Sequence, residues 1–157
     1  MPEPMSMSQR KAFYEAALAC VGAPYVWQAK GSMIWTPSGL KPHDFGVPAF
    51  DCSGLVTHAY LQATGNDWRG TQNAQTLFNT LPKPSFHHGV ELEFYGKSAT
   101  KVSHVAIWVM DGASGSLVIE AHGGDQTTTS AVLAFERRAK VDIHFSDRKD
   151  LVGVRFI

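Results

Sequence analysis

The chain has 157 residues, 44% of them hydrophobic and 18% charged, which is the usage of one folded domain with a full apolar core and not of a disordered segment. Lys plus Arg and Asp plus Glu number 14 each, so no net field exists to gather nucleic acid or an anionic membrane, and neither is expected as a partner. No run reaches the ~18–20 apolar residues of a membrane helix, and the opening MPEPMSMSQR lacks the basic and apolar regions of a signal peptide, so the chain reads as soluble and not as a standard secretory precursor.

Ser6 and Gln9 have capping-box spacing, and Gly22 followed by Pro24 makes a stop, which predicts a first helix over Ser8 to Val21 with Phe13, Ala16, Ala17 and Cys20 on one face. From Pro24 to Phe50, Gly, Pro and aromatic residues break any periodicity, so this stretch is either a long ordered loop or an excursion of short strands. CSGLVTHAYLQATG predicts a second helix with Asp51 at its start and Gly65 as a left-handed stop, and Thr71 to Asn79 a short third one. Beyond this the text alternates. GVELEFYG, SHVAIWVM and LVIEAHGG read as half-buried strands, followed by strands over Lys140 to Phe145 and Leu151 to Ile157. Helices first and sheet second predict an α+β fold, with the N-terminal helices packed on a mostly antiparallel sheet of five strands.

The two cysteines, Cys20 and Cys52, are too few for a disulfide framework, and their number does not show whether they pair. Cys20, in AALACVG, reads as a small buried apolar residue. Cys52 keeps different company, between Asp51 and Ser53-Gly54 at the first turn of a predicted helix. Unpaired N–H groups and the positive end of the helix dipole favour an anion there, and a thiol attacks as its thiolate. A base is needed beside it. His104 opens one predicted strand and His122 closes the next, so one register of the antiparallel pair puts them opposite each other on one face, although the turn between them does not fix that register.

FDCSGLV, followed downstream by an SHVAIWV strand and then by EAHGG, resembles the NlpC-type cysteine peptidases of bacterial cell-wall metabolism, and PYVW and the ending LVGVRFI are similar to that family as well. The resemblance implies a papain-like fold and a Cys-His-His triad. In it Cys52 is the nucleophile, His104 the general base and later acid, and His122 the residue that orients His104. It further implies cleavage of peptidoglycan stem peptides or muropeptides, commonly between D-γ-glutamate and a diamino acid, without cofactor or metal. Tyr25 matches a tyrosine whose hydroxyl polarises the scissile carbonyl, and Asp51 and Ser53 match positions that hold the free amine of an N-terminal L-alanine. For Asp51 the plain role of helix N-cap stands equally beside the ligand role.

The whole chain, 1–157, is expected to form the single catalytic domain, with residues 1–7 flexible. Residues 28–49 form an insertion that family members usually replace by a short Gly-rich link. Trp35, His43 and Phe45 in it either wall the cleft or pack beneath the loop. A zinc site is the first rival reading, since Cys with two His is an acceptable ligand set, but no HExxH or CxxC spacing supports it, and the adjacent His87 and His88 read as exposed. An amidase or acyltransferase using the same triad, or a catalytically silent wall-binding or phage structural module, are the others. Location stays open among a phage lysin, a secreted effector with an immunity protein as partner, a cytoplasmic recycler, and a piece trimmed of its targeting segment.

Overall fold

A computed structural model describes residues 3–83 and 89–157; the reading of His87 and His88 as exposed falls outside them. Helix α1 (Met7–Ala19) starts at the Ser6 cap, whose hydroxyl accepts from the Gln9 N–H at 3.2 Å while the Gln9 side chain accepts from the Ser6 N–H at 2.8 Å. Met5, within the stretch expected to be flexible, is only 4% exposed and belongs to the core. Residues 24–50 take the strand form of the two readings. Strands β1 (Ala29–Gly31), β2 (Met33–Thr36), β3 (Gly39–Pro42) and β4 (Ala49–Phe50) make a small antiparallel sheet in the order β3-β2-β1-β4.

Helix α2 (Cys52–Thr64) begins at the Asp51 cap and stops at Gly65, whose φ of 79° is the left-handed conformation that glycine adopts without steric cost. Helix α3 (Ala74–Thr80) is delayed relative to expectation because Asn73 and Thr76 form a second capping box. The main sheet comprises β5 (Glu91–Ser98), β6 (Lys101–Gly112), β7 (Gly115–His122), β8 (Lys140–Phe145) and β9 (Leu151–Phe156), antiparallel throughout in the order β8-β7-β6-β5-β9. The α+β expectation and the five strands hold. A fourth helix, α4 (Ala131–Glu136), carries no stripe long enough to be read from sequence, and its Ser130 cap supplies the only local signal.

Phe13 and Ala17 of α1, Leu55, Val56 and Ala59 of α2, and Leu77 and Phe78 of α3 pack with Leu92, Phe94, Val105, Ile107 and Ile119 of the sheet. Each such large side chain contributes about 1.5–3 kcal/mol of apolar burial. The other face of the sheet departs from the half-buried expectation. Glu93 and Tyr95 are as buried as their apolar neighbours, because the Tyr95 hydroxyl donates to the Glu93 carboxylate and the Arg148 guanidinium lies 5.0 Å above the Tyr95 ring. Ala106 and Val118 complete that second cluster. Among the described residues no helix is long and apolar enough to cross a membrane.

Candidate active site

Cys52 is the first residue of α2 and is half-buried, while the next five residues are buried. The Asp51 side chain accepts from the Gly54 N–H at 2.7 Å, which consumes one orphan donor of the helix and leaves the Cys52 N–H without a helical partner. Gly54 is obligatory for a different reason. A Cβ there would collide with the Ala29 carbonyl, so glycine lets β1 cross directly over the first turn of α2.

His104 stands on β6, the middle strand of the main sheet, and is 7% exposed. Ile107 pairs with Ile119 and Trp108 with Val118, the register that, extended, runs from His104 to His122. The hydrogen bond nevertheless goes to the diagonal neighbour on the same face: His104 Nε2 lies 2.8 Å from Glu120 Oε1. That bond occupies Nε2 and leaves Nδ1 over, while the Cys52 thiol, which lines the same cleft as His104, reaches the Ser103 carbonyl at 4.0 Å. Burial by itself would lower the His104 pKa. The hydrogen bonds and charges of Cys52 and Glu120 outweigh that and push it up to about 9. Burial likewise opposes ionisation of Glu120, but the His104 bond and the nearby His122 and His144 rings bring it down to about 2.

The partner on His104 Nε2 is therefore Glu120, where His122 was expected. His122 Nε2 has no hydrogen-bond partner among the described residues, lies 3.7 Å from Asp142 Oδ2, and its ring stacks on His144 at 4.4 Å between centroids. The longer reach of a glutamate from two residues back satisfies Nε2 before an opposite imidazole can. The signal was present in the sequence, because a carboxylate inside the apolar run LVIEA, on the same face as His104, has to find a buried partner.

Tyr25 is 4% exposed and lines the cleft, pinned by its N–H on the Ala139 carbonyl at 3.0 Å and by a bridge to Phe50. Gly124 lies flat against its ring, with no room for a Cβ. Burial first, then Cys52, Asp51 and Asp125, push its hydroxyl upward, so it stays a proton donor. Asp51 is the α2 cap, and both Asp51 and Ser53 also receive the ammonium of Lys30, a residue that the sequence reading passed over.

These side chains face one cleft of about 750 Å³, lined among others by Tyr25, Lys30, Trp35, Cys52, His104 and Arg148. Trp35, from the 28–49 segment, packs against Gly70 on the cleft wall, whereas His43 and Phe45 stack on each other at 4.2 Å, and Phe45 packs against Val26, Ala29 and Ala49. Both cysteines are free, and burial pushes the Cys20 thiol up to about 11. Among the described residues, His122, Asp142 and His144 could present three ligand atoms to a metal ion, all within 4.8 Å of one another, a set that does not include Cys52.

The NlpC/P60 family model matches residues 22–136. Protein P54 of Enterococcus faecium is 38% identical over 87 residues, 55% of this chain, and the chain spans only 14% of the length of that relative. Among solved structures, the peptidoglycan hydrolase RipB of Mycobacterium tuberculosis is similar with a TM-score of 0.61 at 19% identity over 95% of this chain and 64% of its own. RipD of the same organism, a non-catalytic NlpC/p60 domain protein adapted to peptidoglycan binding, has a TM-score of 0.59 at 16% identity over 97% and 98%.

Proposed function

We propose, from the premise that this chain belongs to the NlpC/P60 family, that it is a cysteine peptidase of peptidoglycan stem peptides, cutting the bond between D-γ-glutamate and a diamino acid. The observation that carries the reading is that Cys52 and His104 line one cleft, with the Glu120 carboxylate hydrogen-bonded to His104 Nε2 behind them.

In this reading His104 takes the Cys52 proton, and Sγ attacks the carbonyl carbon. The oxyanion is received by the Cys52 N–H at the start of α2 and by the Tyr25 hydroxyl, donors already in place before charge develops. The imidazolium then gives its proton to the departing amine, leaving an acyl-enzyme. A water that His104 deprotonates attacks this thioester, and the thiol is regenerated. Glu120, ionised at any pH above about 2, accepts the Nε2–H throughout and holds the ring so that Nδ1 faces sulfur.

RipD belongs to the same fold and binds without catalysis, so digestion must be shown to depend on the thiol. Purified muropeptides incubated with the protein and analysed by mass should yield fragments broken at the D-γ-glutamyl bond, and none with Cys52→Ala. Fragments broken at another carbonyl would indicate an amidase or acyltransferase. No Cys52-dependent product from the folded protein would leave a silent binding module.

A further inference from the structure

The cleft holds an ion pair that the proposed chemistry does not use. Lys30 projects from β1 and donates to both oxygens of Asp51, at 2.7 and 2.8 Å, and to Ser53 Oγ at 3.1 Å. The Lys30 and Asp51 side chains are 4% and 7% exposed. The carboxylate is saturated besides, because Oδ1 also accepts the Gly54 N–H at 2.7 Å and Oδ2 the Gln28 N–H at 3.1 Å. All three ammonium donors are spent. The junction is built to hold this contact: the Asp51 N–H donates to the Ala29 carbonyl at 3.0 Å, and Gly54 leaves no side chain to keep β1 away. Gln28, a non-glycine residue with φ of 66°, turns the chain into β1 there.

A carboxylate and a hydroxyl side by side, next to the nucleophile on the wall of the same cleft, form a receptor for a cationic group, and in this chain the protein's own ammonium fills it. An incoming amine would have to evict a buried, fully bonded charge and leave it unpaired. We infer that Lys30 is a specificity-determining residue that closes this part of the cleft to substrate amines. The substrates are then stem peptides acylated at their amino terminus, as they are when the peptide hangs from a glycan strand through an amide, and a free amino terminus brings no advantage. The substrate class rests on the hydrolase reading above; the closure itself rests on the Lys30 geometry.

Two synthetic peptides test it, L-Ala-γ-D-Glu-diamino acid with a free and with an acetylated amino terminus. For each, kcat/KM is measured on the native protein and the dissociation constant on Cys52→Ala, which reads binding without turnover. The same measurements are made with Lys30→Gln, checked for folding by circular dichroism. The native protein should handle the acetylated peptide at least as well as the free one, and Lys30→Gln should shift the ratio toward the free amine by about tenfold or more. A native preference of about tenfold for the free amine, or a folded Lys30→Gln with an unchanged ratio, overturns the closure and leaves the hydrolase standing. Selective binding of the acetylated peptide without hydrolysis overturns the hydrolase and leaves the closure. Absence of both binding and hydrolysis overturns both. Should Lys30→Gln not fold, the native ratio alone decides.

Discussion

Replacing Glu120 by Gln keeps the shape of the side chain and removes its charge. In the native site Cys52 and Glu120 lift His104 from 6.5 to about 9 against its burial, and at about 1.36 kcal/mol per unit this is a net preference of about 3 kcal/mol for the imidazolium. One opposite charge at hydrogen-bond distance is worth about 1–3 units, so Glu120→Gln should lower the ring by that amount. A histidine raised by folding keeps its proton until the pH climbs through its folded value. The imidazolium therefore persists up to about 9 in the native protein and is lost nearer neutrality in the variant. The assay is kcat/KM on a soluble stem peptide between acid and alkaline pH, whose alkaline limb should move toward neutrality by about one unit or more. The stability that His104 contributes follows the same sign, complete below 6.5 and lost as pH rises through about 9. Glu120, brought down from 4.5 to about 2, contributes above 4.5 and loses its share as pH falls through about 2. His122→Gln is the control and should leave the alkaline limb in place, since its Nε2 is turned toward Asp142. An unmoved limb in folded Glu120→Gln, or a moved one in His122→Gln, would refute the assignment of the orienting role.

Cys52→Ala should abolish turnover with little change in Tm, whereas Cys20→Ala should spare turnover, because the Cys20 thiol is buried and pushed up to about 11; activity and thermal melts of both variants check this. Tyr25→Phe should lower kcat by roughly 10–100-fold with KM nearly unchanged, since an oxyanion donor acts in the transition state, and a pure KM effect would reduce Tyr25 to a wall residue. Gly54→Ala should destabilise by roughly 1–3 kcal/mol or more, measured by urea unfolding, because its Cβ meets the Ala29 carbonyl and pries β1 from α2. Replacing 33–42 by a short Gly/Ser link should leave hydrolysis of a minimal peptide intact and change selectivity among longer wall fragments, because Trp35 leaves the cleft wall; a fragment panel with unchanged preferences would make this hairpin irrelevant to substrate choice.

Local signals carried the elements that depend on local physics. The Ser6–Gln9 box, the Asp51 cap and the Gly65 stop each have a short-range cause, and each is found where its cause lies, whereas β6 forms as a strand but buries His104 to Ile107 in succession instead of alternating. What the chain text did not disclose is non-local. The small sheet of residues 24–50 has strands of two to four residues, too short for any period to emerge. Burial of Glu93 and Tyr95 depends on Arg148 arriving from far along the chain. Cys52 and His104, singled out from a helix start and a strand start, do come to line one cleft. The hydrogen-bond partner of His104 lies two residues from the expected one, because strand parity gives the face but does not choose between the directly opposite His122 and the diagonal Glu120. Lys30 was invisible for the same reason, since nothing local says that a lysine beside a glycine will be buried on Asp51.

The order β8-β7-β6-β5-β9 has a consequence for amide hydrogen exchange. His104 and Glu120 stand on β6 and β7, each hydrogen-bonded to a strand on both sides, so their amides open only when most of the sheet comes apart and should exchange at close to the global unfolding limit. Strands β2 and β3 form the open end of the small sheet and carry intermediate or exposed residues along their whole length, which places them at the fast end of the same scale. The Trp35 wall of the cleft can thus breathe on its own, while His104 and Glu120 keep their spacing until the whole molecule lets go.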